Sequence, residues 1–525
     1  STTIQLGKDG SNITLNLNGH KIKHTSPNQP LFNITGGATL TVKDSRPVDE
    51  QPVGSSQTLN DQGENLKADN YGKKAELVYD NDGIPTSLTY YVTESVASGT
   101  GGGTGDLKLI NLYNNGHLKL EGGALTQKQG DHVGNLVYAE NGSTVIMDGG
   151  YICGADTGNS GAGAGIKVSK NGVRRSTLKI TGGVIAGNSA PSGAGVFAED
   201  YVNASDANKD NESTKGNPTV EMTGGIITGN YTRDSVDGLG GGILASGGSV
   251  TVSGGYITNN KYAKFCGTDG NGCHGGAGLA ANNGAHVTIS GGQITGNYSE
   301  EAGGGVYVTD VGRQGQPRKD TAWLNITGGI IASNVSYRSE GAGIRVGQMV
   351  DAMINGPKES NGTKESIVYI TNNHCMSRFD WGGGGIFVQG DSNTASNAGR
   401  LFVYNSYITY DSANNAGNNG TPHLSGGGHG KNQDIVAYNK DVFRTNGHAD
   451  FFLAATGHSD PIAAVIGKML GGGDAKFSGS IELEKKISIP ANGGVQVKNS
   501  IGLSSGVNAG DDAATAAQGL ATTFI

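Results

Sequence analysis

Apolar and polar residues alternate along this chain in short bursts, and the bursts recur. In VTISGGQITGN the apolar positions include Val287, Ile289 and Ile294, and in GGGVYV they are Val306 and Val308. A period of two puts such residues on one side of a strand. Related phrases are LKITGGVIAGN, VEMTGGIITGN, VTVSGGYITNN and LNITGGIIASN. The Gly pairs of this set begin at Gly182, Gly224, Gly254, Gly291 and Gly328, with weaker copies at Gly36, Gly122 and Gly149. A second phrase alternates with the first: GAGIKV at Gly163, GAGVFA at Gly193, GGGILA at Gly240, GAGLAA at Gly276, GGGVYV at Gly303, GAGIRV at Gly341 and GGGIFV at Gly383. Strands recurring every ~20 to 40 residues without helical periodicity predict a solenoid. Strand, glycine bend and second strand describe one coil of a parallel β-helix. The glycines are expected to supply positive-φ corners and close backbone approach. The Asn after each bend (Asn188, Asn230, Asn260, Asn297, Asn334) is expected to tolerate left-handed geometry and to bond its stacked neighbour.

The pattern divides the chain. Residues 1–45 read as opening coils, and 46–105 as an insertion or N-terminal cap with a hairpin around Asp82-Gly83. Residues 106–432 form the array, which loops leave at Asp200–Asn217, Tyr262–Cys273, Asp310–Thr321 and Gly347–Lys364. Residues 433–525 read as a C-terminal cap or small lobe, with a hairpin around Asn492-Gly493 and a helix-like start to DDAATAAQGLATTF. The apolar end at Phe524 and Ile525 suggests a piece of a longer surface protein, itself monomeric.

Composition changes this picture little. Gly at 92 of 525 residues is periodic, so neither disorder nor collagen accounts for it. A net charge of −8 argues against nucleic acid as a partner. No apolar run reaches membrane length and no signal peptide stands at Ser1, which fits a processed secreted or cell-surface protein. Cys266 and Cys273 flank CGTDGNGC and are expected to pair in an oxidising compartment, whereas Cys153 and Cys375 read as buried thiols. No calcium repeat, phosphate loop or zinc spacing occurs, so no metal or cofactor is expected.

Aligning the strand-entry glycines places Asp237, Cys273, Glu300, Arg338 and Asp380 in one column and Gly238, His274, Glu301, Ser339 and Trp381 in the next. The middle residue of each following strand points outward: Lys167, Phe197, Leu244, Ala280, Tyr307, Arg345 and Phe387. An exposed stripe of Glu300, Tyr307, Arg338, Arg345, Asp380, Trp381 and Phe387 is therefore expected, and it has what a sugar groove needs. Aromatic rings pack on sugar C–H faces, arginines bond hydroxyls, and Asp380 and Glu300 are the candidate acid and base or nucleophile. His423 in TPHLSGGGHG falls on the next coil of the acid column, and Asp434 and Asp441 are further candidate acids. The same column reads equally as a solvated ion ladder, and Trp381 equally as packing beneath a loop.

The phrases ITLNLNGHKI, ITGGII and GGGIFV resemble those of right-handed parallel β-helix proteins at the surface of Gram-positive gut bacteria, and within that group the β-helical lacto-N-biosidases. The resemblance implies a secreted glycoside hydrolase releasing a disaccharide from host-type glycans through two aspartates a few residues apart, a spacing met here by Asp434 and Asp441. The alternative is a non-catalytic β-helical adhesin or stalk. The carbohydrate-active reading takes a glycan or oligosaccharide as the expected partner.

Overall fold

The computed structural model describes residues 3–7, 10–20, 22, 24, 29–45, 51–53, 72, 74–79, 81, 83, 85–90, 98–101, 106–107, 110–130, 134–159, 161–169, 174–200, 217–235, 238–264, 274–356, 368–371, 373–376, 383–389, 397, 399–404, 406–409, 412–413, 451–454, 463–466, 486–488 and 496–498. Among these residues the chain is an all-β parallel β-helix. Its coils stack into three parallel sheets of 12, 20 and 7 strands, here called the first, second and third faces. Helical structure among the described residues is limited to the 3-10 turns Val311–Arg313 and Arg318–Asp320.

In the five coils from Ile166 to Ser336, each coil contributes a strand to the first face after a GxG phrase, passes to the second face, bends there at the Gly pair, and closes with a two-residue strand on the third face. The stacking is in register. Ile243, Leu279, Val306, Ile344 and Ile386 follow one another up the first face, all fully buried. With Val250, Val287 and Leu324 from the second face they fill a continuous lumen. Alternation thus needs only half of each strand to be apolar, which reconciles a packed core with a hydrophobic content of 35%.

The two glycines of each bend do different jobs. A Cβ on Gly224 would sit 2.3 Å from the Thr181 carbonyl oxygen of the coil below, while Gly225 has φ +78°. One glycine permits the close approach and the other the left-handed turn. The ladder asparagines bond one another as expected: Nδ2 of Asn230 donates to Oδ1 of Asn260 at 3.0 Å, and that of Asn260 to Asn297 at 3.1 Å. The left-handed conformation, however, belongs to the residue before each ladder Asn. Gly187, Gly229, Asn259, Gly296 and Ser333 have φ between 53° and 66°. The ladder residue itself is needed in an ordinary conformation that aims its amide along the stack. Ladder steps of 42, 30, 37, 37 and 39 residues show that coils differ in loop length while keeping one cross-section.

The insertion forms a four-stranded antiparallel sheet that includes the expected hairpin, Glu76–Tyr79 against Pro85–Thr89. It docks on the outside of the second face, where Leu88 and Tyr90 pack with Cys153, Val184 and Ala186. Beyond residue 432, the expected end of the array, Phe451–Ala454 and Ala463–Ile466 still add parallel strands to the first and second faces. Lys486–Ser488 and Gln496–Lys498 pair antiparallel, the second expected hairpin. Cys153 and Cys375 are buried thiols. Cys266 and Cys273, and the helix-like DDAATAAQ segment, lie outside the described residues.

Candidate functional site

The expected stripe divides into two places. Tyr307, Arg345 and Phe387 do stack in register outside the lumen, but they are 2%, 5% and 2% exposed and so form no open surface. The reason is the GxG turn, which folds back over the outward residue of the strand it precedes. Had Gly303, Gly341 and Gly383 carried a Cβ, it would lie 2.6, 2.8 and 2.9 Å from the Cβ of Tyr307, Arg345 and Phe387. Between the rings, Arg345 sits with its guanidinium 4.8 Å from the Tyr307 centroid and 5.8 Å from that of Phe387. Its Nε donates to Glu340 at 3.0 Å and its Nη2 to Gln389 at 2.8 Å. A buried, paired arginine between aromatic plates is a packing element, and removing one partner is costly.

Glu300 and Arg338 belong instead to the third face, which is partly exposed, with Tyr337 and Met376 its most open residues. Its strands are only two residues long, and Tyr231, Lys261, Tyr298, Val335 and His374 follow one another in register, one per coil, with Val335 buried. Two positions further along the same side come Arg233, Glu300, Tyr337 and Met376. Tyr298 and Tyr337 stack with centroids 6.1 Å apart. Lys261 lies 5.0 Å over Tyr298, and Arg338 lies 5.1 Å over Tyr337. The Glu300 carboxylate stands between these cations, 3.4 Å from Lys261 Nζ and 3.8 Å from Arg338 Nε. Burial first, and then the Glu300 carboxylate, push the Tyr298 phenol well above its ordinary value. It is therefore a neutral hydroxyl, both donor and acceptor, through the physiological range.

The insertion reaches the edge of this face. Gly72 N donates to Gly296 O at 3.0 Å and Ala75 N to Gly229 O at 3.3 Å, which pins Lys74 between them. Lys74 Nζ lies 3.6 Å over the Tyr231 ring. Gly72 is required here, since a Cβ would come within 2.4 Å of Tyr298 Cβ.

Among the described residues Glu300 has no exposed carboxylate beside it: Glu301 is buried at 1% exposure. Asp380, Trp381, His423, Asp434 and Asp441 lie outside the described residues. Reading the sequence for strand entries missed Tyr231, Lys261, Tyr298 and Tyr337. Their signal was the residue after each ladder Asn in GNYT, NNKY and GNYS, and for Tyr337 the third residue after it in SNVSY. Ion pairs and charged hydrogen bonds also occur on the first face. Lys167 pairs with Glu199 at 2.7 Å, and the Tyr138 hydroxyl donates to Glu140 at 2.9 Å. Comparison of the chain with protein families, curated proteins and solved structures returned no match.

Proposed function

We propose that this chain is an extracellular carbohydrate-engaging β-helix that takes an oligosaccharide along its third face. One observation carries the reading: tyrosines on neighbouring coils, with centroids 6.1 Å apart, interleave with Lys261, Glu300 and Arg338. Ring faces cover sugar C–H surfaces, Glu300 accepts hydroxyl hydrogen bonds, and the two cations donate them. Coils ~4.8 Å apart repeat this chemistry along the stack, which suits a polymeric ligand.

Hydrolysis of a host-type glycan, in the manner of the β-helical lacto-N-biosidases, is the extended form of this reading. It requires a second carboxylate. Asp380 is the candidate because the strand-entry alignment puts it in the Glu300 column, two coils on. Two coils place Cα atoms about 10 Å apart, and carboxyls about 6.5–9.5 Å apart serve inversion. Asp434 with Asp441 is the alternative pair. Without turnover, the same face serves an adhesin.

A glycan array and a hydrolysis screen on the purified chain test the proposal. Tyr298→Ala and Tyr337→Ala are expected to weaken binding of any retained glycan about tenfold each, the scale of one lost aromatic contact. Unchanged affinity in both variants would sink the assignment of the face. Turnover abolished in Asp380→Asn with binding kept makes the protein a hydrolase; binding without turnover makes it an adhesin.

A further inference from the structure

At the Tyr231 end of the third face, Lys74 stands over the Tyr231 ring, with Lys261 and Arg233 near enough to crowd its charge. Lys74 comes from the insertion, with its Nζ 3.6 Å over the ring. Lys261 is the partner of Tyr231 on the next coil, and Arg233 follows the Tyr231–Thr232 strand directly. This gathering stands out in a chain whose net charge is −8. Each cation also has an acid beside it: Arg233 is paired with Asp156, Lys261 with Glu300 at 3.4 Å, and Asp234 attracts Lys74. Backbone hydrogen bonds from Gly72 and Ala75 hold Lys74 in place from both sides. The backbone of Lys74 is thus fixed before any ligand arrives, and the Tyr231 ring lies beneath its ammonium.

We propose that this end of the face is a subsite for an acidic saccharide, whose carboxylate or sulfate is received by Lys74, Lys261 and Arg233 while the rest of the chain runs toward Tyr298 and Tyr337. The inference rests on the glycan reading above and narrows its substrate class. Electrostatics at Lys74 agree. Burial holds its ammonium below the ordinary lysine value, Lys261 lowers it further, and the attraction of Asp234 is the smaller effect. An added anion relieves that crowding.

The full chain is titrated with lactose, sialyllactose and sulfated lactose at low and high salt. At least one acidic sugar is expected to bind about tenfold tighter than lactose at low salt, and the advantage should collapse at high salt. The preferred acidic probe tells carboxylate from sulfate. Lys74→Gln is expected to lose about tenfold in affinity for that sugar and to leave lactose binding alone. Lys74→Arg should retain the preference, which separates charge from fold. Equal affinity for all three sugars, or an acidic preference untouched by Lys74→Gln, overturns the subsite and leaves the glycan reading standing. No binding of these probes or of any arrayed glycan overturns both.

Discussion

Asn260 shows how much one polar residue does inside this fold. Its Oδ1 accepts from the backbone N and the Nδ2 of Asn230, at 3.1 and 3.0 Å. Its own Nδ2 donates to Ile227 O at 2.9 Å and to Asn297 Oδ1 at 3.1 Å. The residue is fully buried, so no water replaces a lost partner. Asn260→Ala therefore strands two donors on Asn230 and one carbonyl, and is expected to cost about 3 kcal/mol. Urea unfolding measures it, and a loss under about 0.5 kcal/mol would mean the ladder is dispensable. The recurrence of Asn was legible in the sequence, and so was its stacking. Which residue turns left-handed was not, because GN, NN and SN differ in the turning residue and share only the Asn.

At the scale of elements, the insertion is the informative case. Its hairpin could be read from Asp82-Gly83 between two apolar runs. Its docking site could not, because the surface it covers is assembled from Cys153 on one coil and Val184 and Ala186 on the next. Leu88, at 2% exposure, is the centre of that contact. Leu88→Ala is expected to cost about 2–5 kcal/mol and to expose the Cys153 thiol. Peptide mapping after alkylation under native conditions should show Cys153 labelled faster in the variant, with Cys375, buried under the third face, unchanged as the internal control. Equal labelling of Cys153 in both proteins would show that the insertion does not shield it. The same scale explains the divided stripe. Alternation correctly put Tyr307, Arg345 and Phe387 outside the lumen, but the turn that covers them comes from the glycines just upstream.

For the molecule as a whole, buried titratable groups set the response to acid. Burial lowers His286, which packs on Trp323 at 4.6 Å, and His374 on the third face, both from an ordinary value of 6.5. With the folded value below the unfolded one, the folded chain binds fewer protons. The contribution is complete above pH 6.5 and is lost as pH falls through the depressed folded values. Asp310 works with the opposite sign. Burial raises its carboxyl even though its Oδ2 accepts from Gly284 N and Ala322 N at 3.1 and 2.7 Å, so stability it withholds at neutral pH returns as it protonates. Melting temperature is expected to fall from neutral pH toward mild acid, and a His286→Gln, His374→Gln double variant should flatten the slope. A slope unchanged in that variant would place the acid sensitivity elsewhere.

The amino-acid sequence by itself determined the coil. Alternation, paired glycines and recurring asparagines are local or nearest-coil requirements, and each leaves a periodic mark that needs no knowledge of the rest of the chain. Only the tertiary structure decided the surface. Stacking coils of 30 to 42 residues brings Tyr231, Lys261, Tyr298 and Tyr337 to one face, and an insertion many residues upstream adds Lys74. Whether an outward side chain meets water depends on which turn or strap lies over it, and that is a property of neighbours distant in sequence.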